Sequence, residues 1–306
     1  MRRPAGRRVR FAWRFGQLNQ IIRRGVAQMQ TSCWYGGPTQ NTWSPQKWSF
    51  RGNDMTAISM AYYVNYGFLI VADGRCRADD ESVANKTKET DMAQKIFPVE
   101  TTNITMAYAL TGFAGDEQFD LISETKKQMA LLSMSHFASG NQYINRFCRN
   151  IKGIVQRAKK NGLIGEFSKH EPPEPEEKGR KFKFYFMGYF NALPFWVEAK
   201  FYYHPEQTGE VQFELRKNDF EISQCVRSVG SQKIANMIYG QEPVDPRLAK
   251  YKTNSNQLDH LAGYIKACSD PVALEIDPAC KAIGGHIHAA EITQIGFRWL
   301  IEPCPG

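Results

Sequence analysis

Residues 55–75 read MTAISMAYYVNYGFLIVADGR. Two apolar stretches, 57–64 and 67–72, flank a turn at Asn65–Gly67, which predicts a β-hairpin. Phe68 to Ala72 is an uninterrupted apolar run, the pattern of a strand covered on both faces. A Met-Thr pair opens the first strand, and Asp73 ends the second.

Working outward, residues 95–99 (KIFPV) and 103–110 (NITMAYAL) predict a second hairpin, with Pro98 placing 95–99 at a sheet edge. Residues 116–134 and 141–160 have helical spacing. In the second of these Ile144, Phe147, Ile151, Ile154, Val155 and Ala158 share one face. Strands follow at 182–191, 194–203, 210–216 and 219–226, then helices at 231–239 and 254–268, then strands at 285–293 and 296–301. The polar, Pro-rich stretch Ser168–Lys181 predicts an exposed loop. Strands, two helices, strands, helices, strands is an α+β order. Each sheet needs both faces covered, so the expected packing is a four-layer αββα sandwich of two mostly antiparallel sheets. No internal repeat interrupts it.

The 306 residues carry a formal charge of +8 that is unevenly spread. Residues 1–54 hold ten Lys/Arg and one acid, Asp54, whereas 55–306 hold 29 Lys/Arg and 30 acids. The expected organisation is a basic extension, 1–54, and a near-neutral domain, 55–302. The extension suits a start codon assigned too early, a cleaved propeptide, or an arm for nucleic acid or a membrane surface. A near-neutral body argues against nucleic acid as a partner. No apolar run approaches the roughly 20 residues of a membrane span. Seven scattered cysteines without a CxxC pair point to reduced thiols in a cytoplasm.

Five segments together resemble proteasome β subunits and their bacterial relatives, the N-terminal-nucleophile (Ntn) hydrolases: Met55–Arg75, Lys95–Val99, Leu110–Asp116 (LTGFAGD), Ser228–Ser231 (SVGS) and Ile283–Thr293 (IGGHIHAAEIT). The resemblance spans most of 55–302. It implies an Ntn-hydrolase fold and a threonine-type peptidase or amidase, with Thr56 as nucleophile and its own α-amino group as base. That amine titrates near neutrality, at about 7.7–8.0 when unperturbed. A neighbouring Lys95 cation favours its neutral form. By the same resemblance Asp73 holds Lys95 charged, the Gly112 N–H stabilises the oxyanion, and Ser231 relays a proton. Peptide or amide substrates, a homo-oligomeric ring and no cofactor or metal are implied.

The chain departs from the family pattern in several places. The Thr56-to-Asp73 spacing is one residue long. An insertion in the Val64–Gly67 turn keeps Thr56 in the nucleophile position; without it Ala57 falls there and the protein is a non-catalytic structural or binding relative, because strand side chains alternate. The Asp73-to-Lys95 connection is about six residues long, a length that a polar loop at Ala78–Thr90 tolerates. Met55 stands where cleaved precursors carry Gly, which favours a chain starting at Met55 and losing it before Thr56. Near Gly284-Gly285, Cys280 and Ile283 replace the family's acid and serine, and Asp277 is close in sequence but out of register.

Three other features compete for a function. His286 and His288 share a strand face as a two-ligand metal edge, with no third ligand at a recognisable spacing. Cys280 is a candidate thiol nucleophile with no His placed by motif. The ten aromatic residues in 184–203 suit sheet core and subunit contacts better than base stacking.

Overall fold

The computed structural model describes residues 56–75, 91–112, 114–116, 118–164, 181–203, 210–218, 225–240, 242–253 and 255–304. The 1–54 extension, the Ala78–Thr90 run and nearly all of the 168–181 loop lie outside these. In chain order the strands and helices are β1 (Ile58–Tyr63), β2 (Gly67–Ala72), β3 (Ile96–Glu100), β4 (Ile104–Gly112), the short β5 (Gly115–Asp116) and β6 (Phe119–Asp120), α1 (Leu121–Ser133), α2 (Gly140–Lys160), β7 (Lys181–Phe190), β8 (Leu193–Tyr203), β9 (Val211–Lys217), β10 (Cys225–Val229), α3 (Gln232–Ile238), α4 (Gln257–Cys268), α5 (Pro271–Ile276), β11 (His288–Thr293) and β12 (Gly296–Ile301).

Two five-stranded sheets carry the fold. The first runs β10-β1-β2-β11-β12 and the second β3-β4-β7-β8-β9. Every ladder among the described residues is antiparallel. Three apolar layers then follow from side-chain alternation. Ile58, Met60, Tyr62, Phe68, Ile70 and Ala72 point between the sheets, against Ala107, Ala109, Met187 and Trp196. Ala57, Ala61, Leu69 and Val71 point the other way, onto α3 and α4 through Ile234, Leu261 and Ile265. Tyr108, Phe184, Phe186 and Phe201 of the second sheet pack on Ile144, Phe147 and Ile151 of α2. This is the αββα sandwich expected from the sequence. All twelve residues of β1 and β2 are buried, as strands covered on both faces require. The aromatic run of β7 and β8 is largely core: Phe182 and Phe201 stack at 4.6 Å, and Phe68 meets Trp196 edge-on at 6.2 Å. Such pairs contribute about 0.5–1.5 kcal/mol beyond their buried area.

Local signals explain the boundaries that sequence patterning missed. The first helix begins at Leu121 rather than 116, because Asp120 accepts the Ser123 N–H as its cap. Helix α4 begins at Gln257 rather than 254, behind its cap Asn256. The strand expected at 219–226 is found at Cys225–Val229, with 219–224 outside the described residues. The strand expected from 285 starts only at His288. Gly284 and Gly285 have φ of 148° and 76°, and a Cβ on Gly285 would lie 2.3 Å from the Asp91 carbonyl oxygen. Helix α5 and a 3₁₀ turn at Pro278–Ala282 were not anticipated, although Asp270-Pro271 and Asp277-Pro278 each place a capping acid before a proline at the first helical position. Pro98 lies on an edge strand, as expected. No helix is long and apolar enough to cross a membrane among the described residues.

Candidate active site

The β1–β2 ladder runs from Tyr63↔Gly67 to Ile58↔Ala72 and leaves a three-residue loop, Val64–Tyr66. Two-residue loops are the commonest hairpin connection, so the turn has room for one additional residue. One step beyond Ile58 and Ala72, Ala57 and Asp73 face each other: the Asp73 N–H donates to the Ala57 carbonyl at 3.1 Å. Ala57 is fully buried on the helix side of the sheet. Thr56, 6 % exposed, continues the alternation of Ile58, Met60 and Tyr62, whose side chains face the second sheet.

The Asp73 carboxylate is the hub of this end of the sandwich. Its Oδ1 accepts from the Ala57 N–H at 2.8 Å and from Lys95 Nζ at 2.8 Å. Its Oδ2 accepts from the Gly284 N–H at 3.0 Å and the Arg75 N–H at 3.3 Å. Asp73 is fully buried and Lys95 nearly so. Burial pushes the Asp73 carboxyl above the usual carboxylate range, against the Lys95 cation and the Gly284 and Ala57 N–H groups, which pull it down. Every one of these hydrogen bonds is donated to the carboxylate, the pattern that an ionised group makes. Oδ1 thus joins the lysine cation to the backbone N–H that directly follows Thr56.

Lys95 enters from the second sheet just before β3. Because Ile96 pairs with Ala109, it lies beside the end of β4 that leads to Gly112. Its backbone N–H donates to Nε2 of His288 at 3.0 Å, a bond between the sheets that sequence reading did not foresee. His288 is fully buried. As Nε2 accepts, the ring proton sits on Nδ1. Burial first, then the Lys95 cation and His286, bring its pKa down to about 4. The only signal in the sequence was that His288 shares its strand face with Ala290 and Ile292, which is the inter-sheet face.

Gly112 ends β4 opposite Phe182 with φ of 80°, a conformation that a side chain disfavours. Ser231 follows β10, whose Val229 pairs with Ile58, so it arrives at the same end of the sandwich. The intervening Gly230 is packed so closely that a Cβ there would lie 3.2 Å from the Thr56 carbonyl oxygen and 2.9 Å from the Tyr264 hydroxyl. Ser231 caps α3, its Oγ accepting from the Ile234 N–H at 3.1 Å, and it donates to Asp277 Oδ2 at 2.5 Å. Asp277, which appeared out of register, is therefore delivered to Ser231 by the 3₁₀ turn that it caps. Arg75 fastens the rim: Nε and Nη2 pair with Asp91 at 2.7 and 3.3 Å, and Nη1 donates to the Ile283 carbonyl at 3.1 Å.

Of the candidate residues, Asp73 and Lys95 are in direct contact, and Thr56, Gly112 and Ser231 are carried to the same end on separate elements. The Thr56 side chain makes no hydrogen bond among the described residues. His286 and His288 do not form a metal edge: their rings lie parallel with centroids 6.5 Å apart, His286 Nε2 bonds the Glu302 carbonyl oxygen at 2.7 Å, and His288 is committed to Lys95. No cluster of three or more metal-ligating side chains occurs among the described residues. Cys280 is buried beside Ser231 in the Pro278–Ala282 turn.

No protein-family model and no curated protein matches the chain. Among solved structures it is similar to a Gly-1 mutant of Anbu from Hyphomicrobium sp. strain MC1, with a TM-score of 0.41 and 13% sequence identity over 80% of this chain and 87% of that one.

Proposed function

We propose that this protein is a proteasome-like Ntn hydrolase, a threonine peptidase or amidase whose nucleophile is the Thr56 hydroxyl once no residue precedes it. The observation that carries this is the buried Asp73–Lys95 pair, tied by one carboxylate oxygen to the N–H that follows Thr56. A lysine held charged at that place keeps a neighbouring α-amino group neutral, and a neutral amine takes the hydroxyl proton as Thr56 attacks a carbonyl. The alternation that turns Ala57 onto the helices supports Thr56 over Ala57 as the nucleophile.

In this mechanism the Gly112 N–H, freed of side-chain obstruction, donates to the oxyanion; one such donor lowers the barrier by about 2.7–4 kcal/mol. Ser231, polarised by its bond to Asp277, returns the proton from the amine to the leaving group. The acyl-enzyme is then hydrolysed by water activated by the same amine. By the resemblance given above, the protein acts without a cofactor in the cytoplasm, as a homo-oligomeric ring with its active sites facing inward.

The test is an acylating β-lactone probe on protein beginning at Thr56, followed by peptide mapping. Labelling confined to Thr56, lost in Thr56→Ala and kept in Thr56→Ser, is the expected result. Labelling elsewhere, or unchanged peptide hydrolysis in Thr56→Ala, overturns the proposal.

A further inference from the structure

Beside Gly112 the layer between the sheets stops being apolar. Gly112 pairs with Phe182, and the residue before it, Thr111, pairs with Lys183, which in turn pairs with Lys200 on β8. Thr111 shares its strand face with Ala107 and Ala109, Lys183 with Tyr185 and Met187, and Lys200 with Trp196, all of which pack between the sheets. Thr111, Lys183 and Lys200 therefore form one cross-strand row on the inter-sheet face, the face that the Thr56 side chain also meets. The next row inward is Ala109, Tyr185 and Glu198. Arg227, opposite Met60 on the first sheet, reaches across, and its Nη1 donates to Glu198 Oε2 at 3.1 Å. Lys183 Nζ lies 3.8 Å from Glu198 Oε1, close enough for attraction and too far for a hydrogen bond.

Three features of this row cost stability. The Thr111 hydroxyl is buried, its residue 1 % exposed, and has no hydrogen-bond partner among the described residues. Lys183 and Lys200 stand directly opposite each other, where like charges repel. Lys183 is only 5 % exposed, and burial of an ammonium is costly unless an anion meets it closely. The charge balance is also one-sided. Lys183, Lys200 and Arg227 face the single carboxylate of Glu198; the next residues outward on β9, Glu214 opposite Lys200 and Arg216 opposite Glu198, are exposed and cancel.

We propose that this row is an anion subsite, and that the substrate is a peptide or amide whose acyl-side residue carries a carboxylate, as glutamate and aspartate do. A carboxylate laid along the row accepts from the Thr111 hydroxyl and the Lys183 ammonium and separates Lys183 from Lys200. Glu198 does not fill that place, because Arg227 holds it from the opposite sheet. Exposure rises from Thr111 and Lys183 to the half-buried Lys200, so the row is open on its β8 side. Thr111 directly precedes Gly112, which brings the anion next to the group assigned to the oxyanion. That the row takes an anion stands on these side chains alone; that the anion belongs to a substrate rests on the hydrolase reading given above.

The experiment uses the full chain expressed in its native host and two probes that differ in side-chain charge, N-acetyl-glutamate and N-acetyl-glutamine, followed by calorimetry. N-acetyl-glutamate should bind about tenfold tighter or more, and the preference should vanish in Lys183→Met. Thr111→Val should weaken N-acetyl-glutamate binding without lowering the melting temperature, since it deletes a buried hydroxyl that has no partner to lose. Lys200→Gln, at a half-buried position, reports on the same charge if Lys183→Met does not fold. Peptides with Glu or Gln before the scissile bond should differ about tenfold in kcat/KM in favour of Glu. Equal affinity for the two probes, binding of neither, or a preference that survives in every folded variant overturns the subsite. A binding preference with cleavage indifferent to the acid overturns the substrate class. A binding preference in a protein that cleaves neither peptide refutes the hydrolase assignment and leaves the anion subsite standing.

Discussion

Acid should loosen the inter-sheet bond at Lys95 through one residue, His288. Its imidazole is buried and neutral in the folded state, with a pKa of about 4 against an ordinary 6.5. The unfolded chain therefore takes up this proton first. For a histidine with a lowered folded value, the contribution to stability is complete above about pH 6.5 and is lost as pH falls towards about 4. The full interval corresponds to about 3 kcal/mol, and at pH 4.5 roughly 2.5 kcal/mol of it is gone. His288→Gln keeps an acceptor where Nε2 now meets the Lys95 N–H at 3.0 Å, but it does not titrate. Urea unfolding of both proteins at pH 7 and pH 4.5 isolates the effect. The raised pKa of Asp73 works in the opposite direction, stability rising as pH falls, and it is common to both proteins. The wild type should lose about 2–3 kcal/mol more than the variant over this interval. Equal losses, within about 0.5 kcal/mol, would refute the assignment of His288 as the buried neutral acceptor.

Lys95→Met should cost about 3–5 kcal/mol at pH 7, because it leaves the buried Asp73 carboxylate without its cation. The cost should shrink as pH falls through the raised Asp73 pKa and the carboxyl takes up a proton; a loss under about 1 kcal/mol in denaturant titration contradicts the ion pair. Ser231→Ala removes a helix cap and should lower stability by only about 1 kcal/mol. Its kcat should nevertheless fall about 10²–10⁴-fold with KM little changed, and retention of kcat would leave Ser231 a cap and nothing more. Gly112→Ala forces a side chain onto a φ of 80° and should destabilise by about 1–2 kcal/mol; a neutral change in thermal melting counts against that backbone geometry.

The hairpins and the helix faces were legible because their signals are local. The near-continuous apolar runs within 57–72 mark strands covered on both faces, the spacing in 141–160 states which side of the helix is apolar, and the αββα layering follows from covering those faces. Ends of elements were less legible where one polar side chain decides them: Asp120 and Asn256 each hold a helix start later than the apolar pattern suggests. The Asp73–Lys95 contact joins two sheets and has no local signature, so only the family resemblance put those residues together. Nothing local could place His288 against Lys95, since that bond spans 193 positions of chain. The Ser231–Asp277 bond escaped for a different reason. Its signal, an acid before proline, was present, but Asp277 was out of register with the family pattern, and only the 3₁₀ turn it caps brings its carboxylate to Ser231.

Intact mass together with N-terminal sequencing of the protein isolated from its native source bears most directly on whether Thr56 is the working nucleophile. A first residue of Thr56 with an unblocked amine is the expected result. An active protein in which Met55 or any earlier residue remains attached would contradict it, because the base would then be an amide nitrogen with no proton affinity to offer.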